Sequence, residues 1–172
     1  AISGPSFVLT VRESLRAAAT RLADSVDSPG VDAEVLVGHL LGMRRSALFA
    51  AGDRHLTPDE TAVLDALIHR RCAGEPLQYL TGHQAFRTLD LAVGPGVLVP
   101  RPETEIVVEV ALRRIAAVDR PLVADIGTGS GAIALSLAVE RPDATVWATE
   151  ISEEAVSWAQ RNQTASGATN VT

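Results

Sequence analysis

The sequence predicts an α/β chain in which an N-terminal helical bundle is joined by a hairpin linker to the first part of a domain built on a parallel sheet. Three observations carry this. Apolar residues recur at helical spacing through residues 10–72 and then alternate between glycine and proline breaks from 77 to 96. After them comes a β-branched strand running into alternating glycines, Val123-Ala124-Asp125-Ile126-Gly127-Thr128-Gly129-Ser130-Gly131. A strand, a glycine turn and an apolar helix, in that order, open a βαβ unit.

The 172 residues are 47% hydrophobic and 21% charged, enough apolar material for a real core. A formal net charge of −6 and a pI near 5.2 argue against general affinity for nucleic acid or an anionic membrane, both of which depend on summed positive charge. Apolar runs such as residues 132–139 fall far short of the ~20 residues that span a bilayer, and the N-terminus lacks a charged-then-apolar leader pattern. A cytoplasmic protein is expected. Cys72, being alone, allows neither an internal disulfide nor a cysteine metal cluster, and reads as an ordinary packed or half-exposed thiol. His39, His55, His69 and His83 include no i, i+4 pair, so no metal site is expected. Ala1 to Ser6 are small and polar and stay outside the fold reasoning.

In the first segment, Thr10-Val11-Arg12-Glu13 has the form of a capping box, and Val11, Leu15, Ala18, Ala19, Leu22 and Val26 follow on one face, predicting a helix over about 10–26. Ser28-Pro29-Gly30 breaks it. Asp32 can cap a second helix whose buried stripe is Val35, Leu36, His39, Leu40 and Leu41, ending at Gly42. A weaker turn covers 45–50. Thr57-Pro58-Asp59-Glu60 is a strong helix start, with Val63, Leu64, Leu67, Ile68 and Cys72 facing inward, Arg70 and Arg71 at the negative end of the dipole and Gly74 as the stop.

From Leu77 to Gly96 the alternation reads as hairpin chemistry. Val97-Leu98-Val99-Pro100-Arg101-Pro102-Glu103-Thr104-Glu105 then leads into a helix of about 104–118 with Ile106, Val107, Val110, Ala111 and Ile115 on one side. The two prolines around Arg101 fix the backbone there, more rigidity than a spacer requires. A strand over 122–126, a helix to about Glu140, a strand over 144–149 ending at Glu150, and a helix capped by Ser152 and stopped by Gly167 follow. Asn170-Val171-Thr172 reads as the start of a third strand. The expected organisation is 7–76 helical, 77–100 linker and 101–172 sheet-containing. Two strands and a stub leave an edge and helix faces without partners, so the sequence is expected to be a fragment.

Gly127, Gly129 and Ala132 formally satisfy G-x-G-x-x-G/A, which several nucleotide cofactors share. Asp125 lies two residues before the first glycine. A carboxylate there would repel a pyrophosphate but suits a ligand with an ammonium group, such as S-adenosylmethionine. Glu150, at the end of the next strand, is the expected acceptor for the two ribose hydroxyls of an adenosine.

Gly74-Glu75-Pro76-Leu77-Gln78-Tyr79-Leu80-Thr81-Gly82, the Val97 to Glu105 segment and Asp125 to Leu135 together resemble the bacterial release factor glutamine methyltransferase (HemK/PrmC) family, with order and spacing kept over nearly the whole chain from about residue 10. The Pro-Arg-Pro-Glu-Thr-Glu segment is far more specific than the glycine turn. The resemblance implies a Rossmann-like, S-adenosylmethionine-dependent methyltransferase domain behind a helical substrate-recognition domain. The implied reaction moves a methyl group to the side-chain amide nitrogen of the glutamine in the Gly-Gly-Gln motif of class I peptide chain release factors. Carried over by position, Asp125, Gly127, Thr128, Gly129, Ser130, Gly131 and Glu150 would bind the cofactor. Arg101, Pro102, Glu103 and Thr104 would support the cofactor and substrate pocket. The family usually has aspartate where Glu150 stands. The family's Asn-Pro-Pro-Tyr motif, which holds the glutamine amide, does not occur in the 172 residues, so the catalytic residues are unassigned, and at most weak cofactor binding and no turnover are expected of this chain alone. A monomer that does not bind nucleic acid directly is expected.

Three other readings share parts of the pattern. An amine methyltransferase acting on nucleic acid would use a related amide-holding motif, but the acidic charge argues against it. A non-catalytic interaction module would use the sheet only as a scaffold. A nicotinamide oxidoreductase fits the glycines and gives no reason for Asp125.

Overall fold

The computed structural model describes residues 9–172. What was expected of Ala1 to Ser6, and of a helical domain beginning at 7, lies outside those residues. The described chain divides into two compact units, with the division between Thr81 and Gly82.

The first unit is helical: α1 (Val11–Leu22), α2 (Pro29–Leu41), α3 (Arg45–Ala50), α4 (Pro58–Cys72) and α5 (Leu77–Thr81). Both predicted capping boxes form. The Thr10 hydroxyl accepts the Glu13 N–H at 3.2 Å while the Glu13 carboxylate accepts the Thr10 N–H at 2.9 Å, and Thr57 and Glu60 repeat the exchange at 3.2 and 2.8 Å. Each box satisfies two N–H groups that a helix start otherwise leaves open. The core gathers Val11, Ala18, Leu22, Leu36, Val37, Leu48, Leu64 and Ile68, with Leu15 and Ala19 packed against it as the α1 periodicity predicts; Val26 also packs there but from beyond the helix, which ends at Leu22 rather than near 26.

Several expectations for this unit are corrected. Asp32 does not cap α2. Ser28 stands at the cap with Pro29 in the first turn, and Asp32 is buried, its carboxylate held 2.7 Å from the Arg71 guanidinium of α4. Arg71 also donates to the Glu75 carbonyl oxygen at 3.0 Å, so one cation ties α2 to the end of α4. The inward face of α2 is Ala33, Leu36, Val37 and Gly38, while Val35 and His39 turn outward. A Cβ on Gly38 would lie 2.9 Å from the Met43 carbonyl oxygen, so the chain returns tightly against the end of the helix there. Val63 and Cys72 are exposed on α4, and the thiol donates to the Arg21 carbonyl oxygen at 3.6 Å. Leu77–Thr81 is helix rather than hairpin. The Pro76 carbonyl accepts the N–H groups of Tyr79 and Leu80 at 3.0 and 3.2 Å, and Leu77 and Leu80, three apart, both meet the helical core.

The second unit begins with a hairpin, β1 (His83–Phe86) and β2 (Leu89–Ala92), shorter than the predicted 77–100. It continues through α6 (Thr104–Ile115), β3 (Leu122–Ile126), α7 (Ala132–Glu140), β4 (Thr145–Thr149) and α8 (Glu153–Ser166). β3 and β4 pair in parallel, and Val171 bridges to Val146 on β4 in the same sense, as the predicted third strand requires. Phe86, Leu91, Val108, Leu135, Leu137 and Val146 form the core. On α6 the buried residue is Val108, with Ala111 and Leu112 beside it; Ile106, Val107 and Val110, expected inside, are exposed. The helix has apolar residues on more than one face, and the face packed on α7 is the one that carries Val108.

The hairpin turn is pinned by Arg87, whose φ of 50° places it in the left-handed region. Its guanidinium reaches both Glu140 oxygens of α7 at 2.5 and 2.7 Å and Glu109 of α6 at 3.4 Å, and its backbone N–H donates to Glu105 at 3.0 Å. The Glu140 carboxylate, with Glu109 behind it, holds the guanidinium well above its ordinary pKa.

Candidate active site

The candidate site lies within the second unit, where the ends of β3 and β4 meet the N-terminus of α7. The glycine turn leaves β3 with its first two amides spent on β4: the N–H groups of Gly127 and Thr128 both donate to the Thr149 carbonyl, at 2.8 and 2.9 Å. Gly127, Gly129 and Gly131 all have positive φ, at 79°, 57° and 84°. Side chains are strained in that conformation, so glycine is required by the path of the chain. At Gly127 an added Cβ would meet nothing within 4 Å, leaving the backbone open to close approach.

Two carboxylates organise this turn. Asp125 is directed into it: one oxygen accepts the Thr128 hydroxyl at 2.8 Å and the Ala134 N–H, in the first turn of α7, at 3.2 Å. It thus serves α7 as a cap supplied from outside the helix. Its second oxygen makes no hydrogen bond among the described residues. Glu150 accepts three backbone N–H groups, from Gly129 at 2.9 Å on one oxygen and from Ile151 and Ser152 at 2.8 and 3.1 Å on the other. The Gly129 N–H, followed by those of Ser152 and Ile151, holds the Glu150 carboxyl below its usual range.

In front of the turn is a cleft of about 340 Å³ whose wall includes Val97, Arg101, Thr104, Gly127 to Ser130 and Glu150. The structure therefore brings the Pro100 to Thr104 segment to the glycine turn across the intervening residues 105–126. Arg101 is exposed with no ion pair among the described residues. Pro102 and Glu103 belong to the turn that winds into α6 and do not line the cleft; the carbonyls of Arg101, Pro102 and Glu103 accept the N–H groups of Thr104, Glu105 and Ile106. Gly131 and Asp125 also stand outside it. Gly131 instead borders a smaller hollow of about 150 Å³ between α7 and α8, floored by Leu135, Ala148 and Val156 and also reached by Glu150.

Similarity to known proteins is extensive. Residues 13–82 match the family profile described as the PrmC N-terminal domain, and residues 103–172 match the methyltransferase small domain. The release factor glutamine methyltransferase of Moorella thermoacetica is 48% identical over 155 residues, covering 90% of this chain and 55% of that protein. Those of Escherichia coli (47%, covering 86% and 53%) and Streptomyces coelicolor (49%, covering 84% and 51%) agree. The chain belongs to the release factor glutamine methyltransferase family. It spans about half the length of the curated relatives it matches.

Sequence reasoning about this family member left out two residues that shape the site. Asn162, buried within α8, hydrogen-bonds the carbonyl of Ser130 in the turn, and Arg87 anchors Glu105 of the Pro-Arg-Pro-Glu-Thr-Glu segment. Asparagine is a poor residue for a helix interior, which was a usable signal. Nothing local marked Arg87, since its partners lie 18, 22 and 53 positions away.

Proposed function

We propose that this chain is the N-terminal part of an S-adenosylmethionine-dependent methyltransferase that modifies the side-chain amide nitrogen of the Gly-Gly-Gln glutamine in class I peptide chain release factors. The observation that carries the reading is the meeting of Glu150, the glycine turn and the Arg101 segment around one cleft, in a chain 47–49% identical to release factor glutamine methyltransferases.

The residues present suit the cofactor. Gly127 offers a backbone that a ligand can approach without meeting a side chain, and Gly129 has only Val97 near its missing Cβ, at 3.9 Å. Glu150 supplies an ionised acceptor. A carboxylate has about four acceptor positions, of which three are taken by backbone N–H groups, so a grip on both ribose hydroxyls exchanges one of those bonds, with Gly129 N–H the partner on the oxygen nearest the turn. Asp125 does not line the cleft; of its two oxygens one stays on Thr128 and Ala134, and the other is the one that would meet the ligand's ammonium at the end of β3. The cofactor supplies a methyl group on a sulfonium, which transfers as the sulfur takes back the bonding pair. The amide nitrogen it reaches is a weak nucleophile, and rate depends on aligning it with the methyl–sulfur bond. Arg101 and Thr104 line the cleft, where they would meet a substrate glutamine. The helical domain serves as the surface for the release factor, and the protein acts as a cytoplasmic monomer. Among the described residues no helix is long and apolar enough to cross a membrane.

Calorimetric titration of the chain with S-adenosylmethionine and with NAD tests the cofactor reading: saturable binding of the first and none of the second is expected, and the reverse overturns it. Transfer of label from S-adenosylmethionine to the Gly-Gly-Gln peptide of a release factor by the full-length polypeptide tests the substrate. Labelling of nucleic acid instead would overturn that part.

A further inference from the structure

The glycine turn is held from behind by a face of α8. Glu154, Trp158 and Asn162 follow at four-residue steps and share that face. Asn162 is 2% exposed. Its side-chain oxygen accepts the Ala92 N–H at 2.7 Å, and its amide nitrogen donates to the carbonyls of Ala92 at 3.0 Å and Ser130 at 2.8 Å. The chemistry fixes this orientation, because a backbone N–H only donates and a carbonyl only accepts. One turn earlier on the same face, the Trp158 indole N–H donates to the Pro95 carbonyl at 3.1 Å. A Cβ on Gly94 would stand 2.5 Å from the Trp158 ring, and one on Gly96 would stand 2.4 Å from the Glu154 carboxylate. Gly94-Pro95-Gly96, which the sequence presents as a simple break, is thus a close approach to α8 that delivers Val97 into the cleft wall.

We propose that Asn162 is a positioning residue for the cofactor turn. The proposal rests on the reading of the cleft as a cofactor site. The Ser130 carbonyl and the Gly131 N–H belong to one planar peptide unit, so holding the oxygen also orients that N–H, which donates to Thr128 at 2.9 Å. Asn162 locks the turn to the end of β2 with one buried carboxamide whose three bonds all go to main chain of other segments. Losing it takes this partner from the buried Ser130 carbonyl and from the N–H and carbonyl of half-buried Ala92. Aspartate at this position keeps the acceptor but sets a carboxylate against two carbonyl oxygens, so its pKa is raised and the donor returns only on protonation. Of the charged side chains on the flanking elements, Asp90 on β2 and Glu153, Glu154 and Arg161 on α8 are exposed, and Asp125 and Glu150 are engaged with Thr128, Ala134 and Gly129; the two carbonyls are the groups in direct contact with the side chain.

The test compares the wild-type chain with Asn162→Leu and Asn162→Asp, following the amide resonances and exchange of Gly131 and Ala92 from pH 5 to 8, and S-adenosylmethionine binding over the same range. In Asn162→Leu both amides are expected to exchange at least tenfold faster at every pH. In Asn162→Asp they do so at pH 8 and recover as the pH falls, with cofactor affinity reduced at least tenfold at pH 8 and recovering in parallel; wild type shows no such recovery. Should Asn162→Leu fail to fold, the pH profile of Asn162→Asp decides alone. Turn resonances unchanged in the variants, or variant affinities equal to wild type, overturn the proposal. Absence of cofactor binding by wild type, with the turn amides responding as expected, overturns the cofactor reading and leaves the positioning of the turn standing.

Discussion

The two units use their apolar residues in opposite ways. In the helical unit Leu22 is 0% exposed and Leu36 and Leu48 are equally enclosed, so the helices close around one core. In the sheet unit the strands are covered on one side only. Val146 is buried against the core, but Leu122 is 70% exposed, and Ile126 and Trp147 share its open face. Polar groups differ in parallel. Carboxylates of the helical unit complete capping boxes or hold arginines, whereas Asp125 and Glu150 converge with a buried asparagine on one backbone turn. The first unit spends its polar chemistry on its own stability; the second concentrates it where backbone meets a cleft. That concentration marks a site independently of any motif.

The largest effect expected from this contrast is at Leu22. Leu22→Ala should lower stability by about 2–5 kcal/mol in denaturant unfolding, because the removed atoms leave a cavity in a closed core. Arg87→Met should cost about 3 kcal/mol in the same measurement, since it leaves the partly buried Glu140 without its cation and keeps only the backbone N–H bond to Glu105. A cost near zero there would mean that solvent screens the cluster. Thr57→Ala should cost about 1 kcal/mol through loss of the α4 cap, read as a lower unfolding midpoint.

A local effect is expected at Glu150. Its carboxyl lies below its ordinary pKa in the folded chain, so its hold on the turn is present above the usual glutamate range and is lost as the pH falls through the folded value. The Gly129 amide resonance should report this, moving with acid titration in wild type and staying still in Glu150→Gln; identical titration in both would assign the effect to another group. The smallest change is expected at Leu122, where Leu122→Ala should stay within about 0.5 kcal/mol of wild type. A cost like that of Leu22→Ala would show the open face to be covered in solution and would break the comparison.

Legibility followed the range of the interactions involved. β3, the glycine turn, the Ser152 cap and the Gly167 stop of α8 could all be read because each depends on residues a few positions apart. The same locality misled at Leu77–Thr81, where apolar residues three apart fit a helix as well as an irregular strand, and Pro76 decided in favour of the helix. The rotations of α2 and α6 were harder still. Both carry apolar residues on more than one face, and the packing against α1 in one and against α7 in the other chose which face went inside. At the site, the glycines and acids were visible as residue types at strand ends, but their partners were not.

The sequence by itself determined the helix boundaries set by caps and glycines, the strand–turn–helix order, and the presence of Asp125 and Glu150 at the ends of adjacent strands, since these follow from local propensity and short-range hydrogen bonding. Only the tertiary structure decided that Glu150 holds Gly129, that Arg87 ties the hairpin to Glu105 and Glu140, and that Asn162 grips Ser130 and Ala92. These bonds join residues 18 to 70 positions apart, and which distant groups meet is set by how helices and strands pack, a choice that no short stretch of sequence contains.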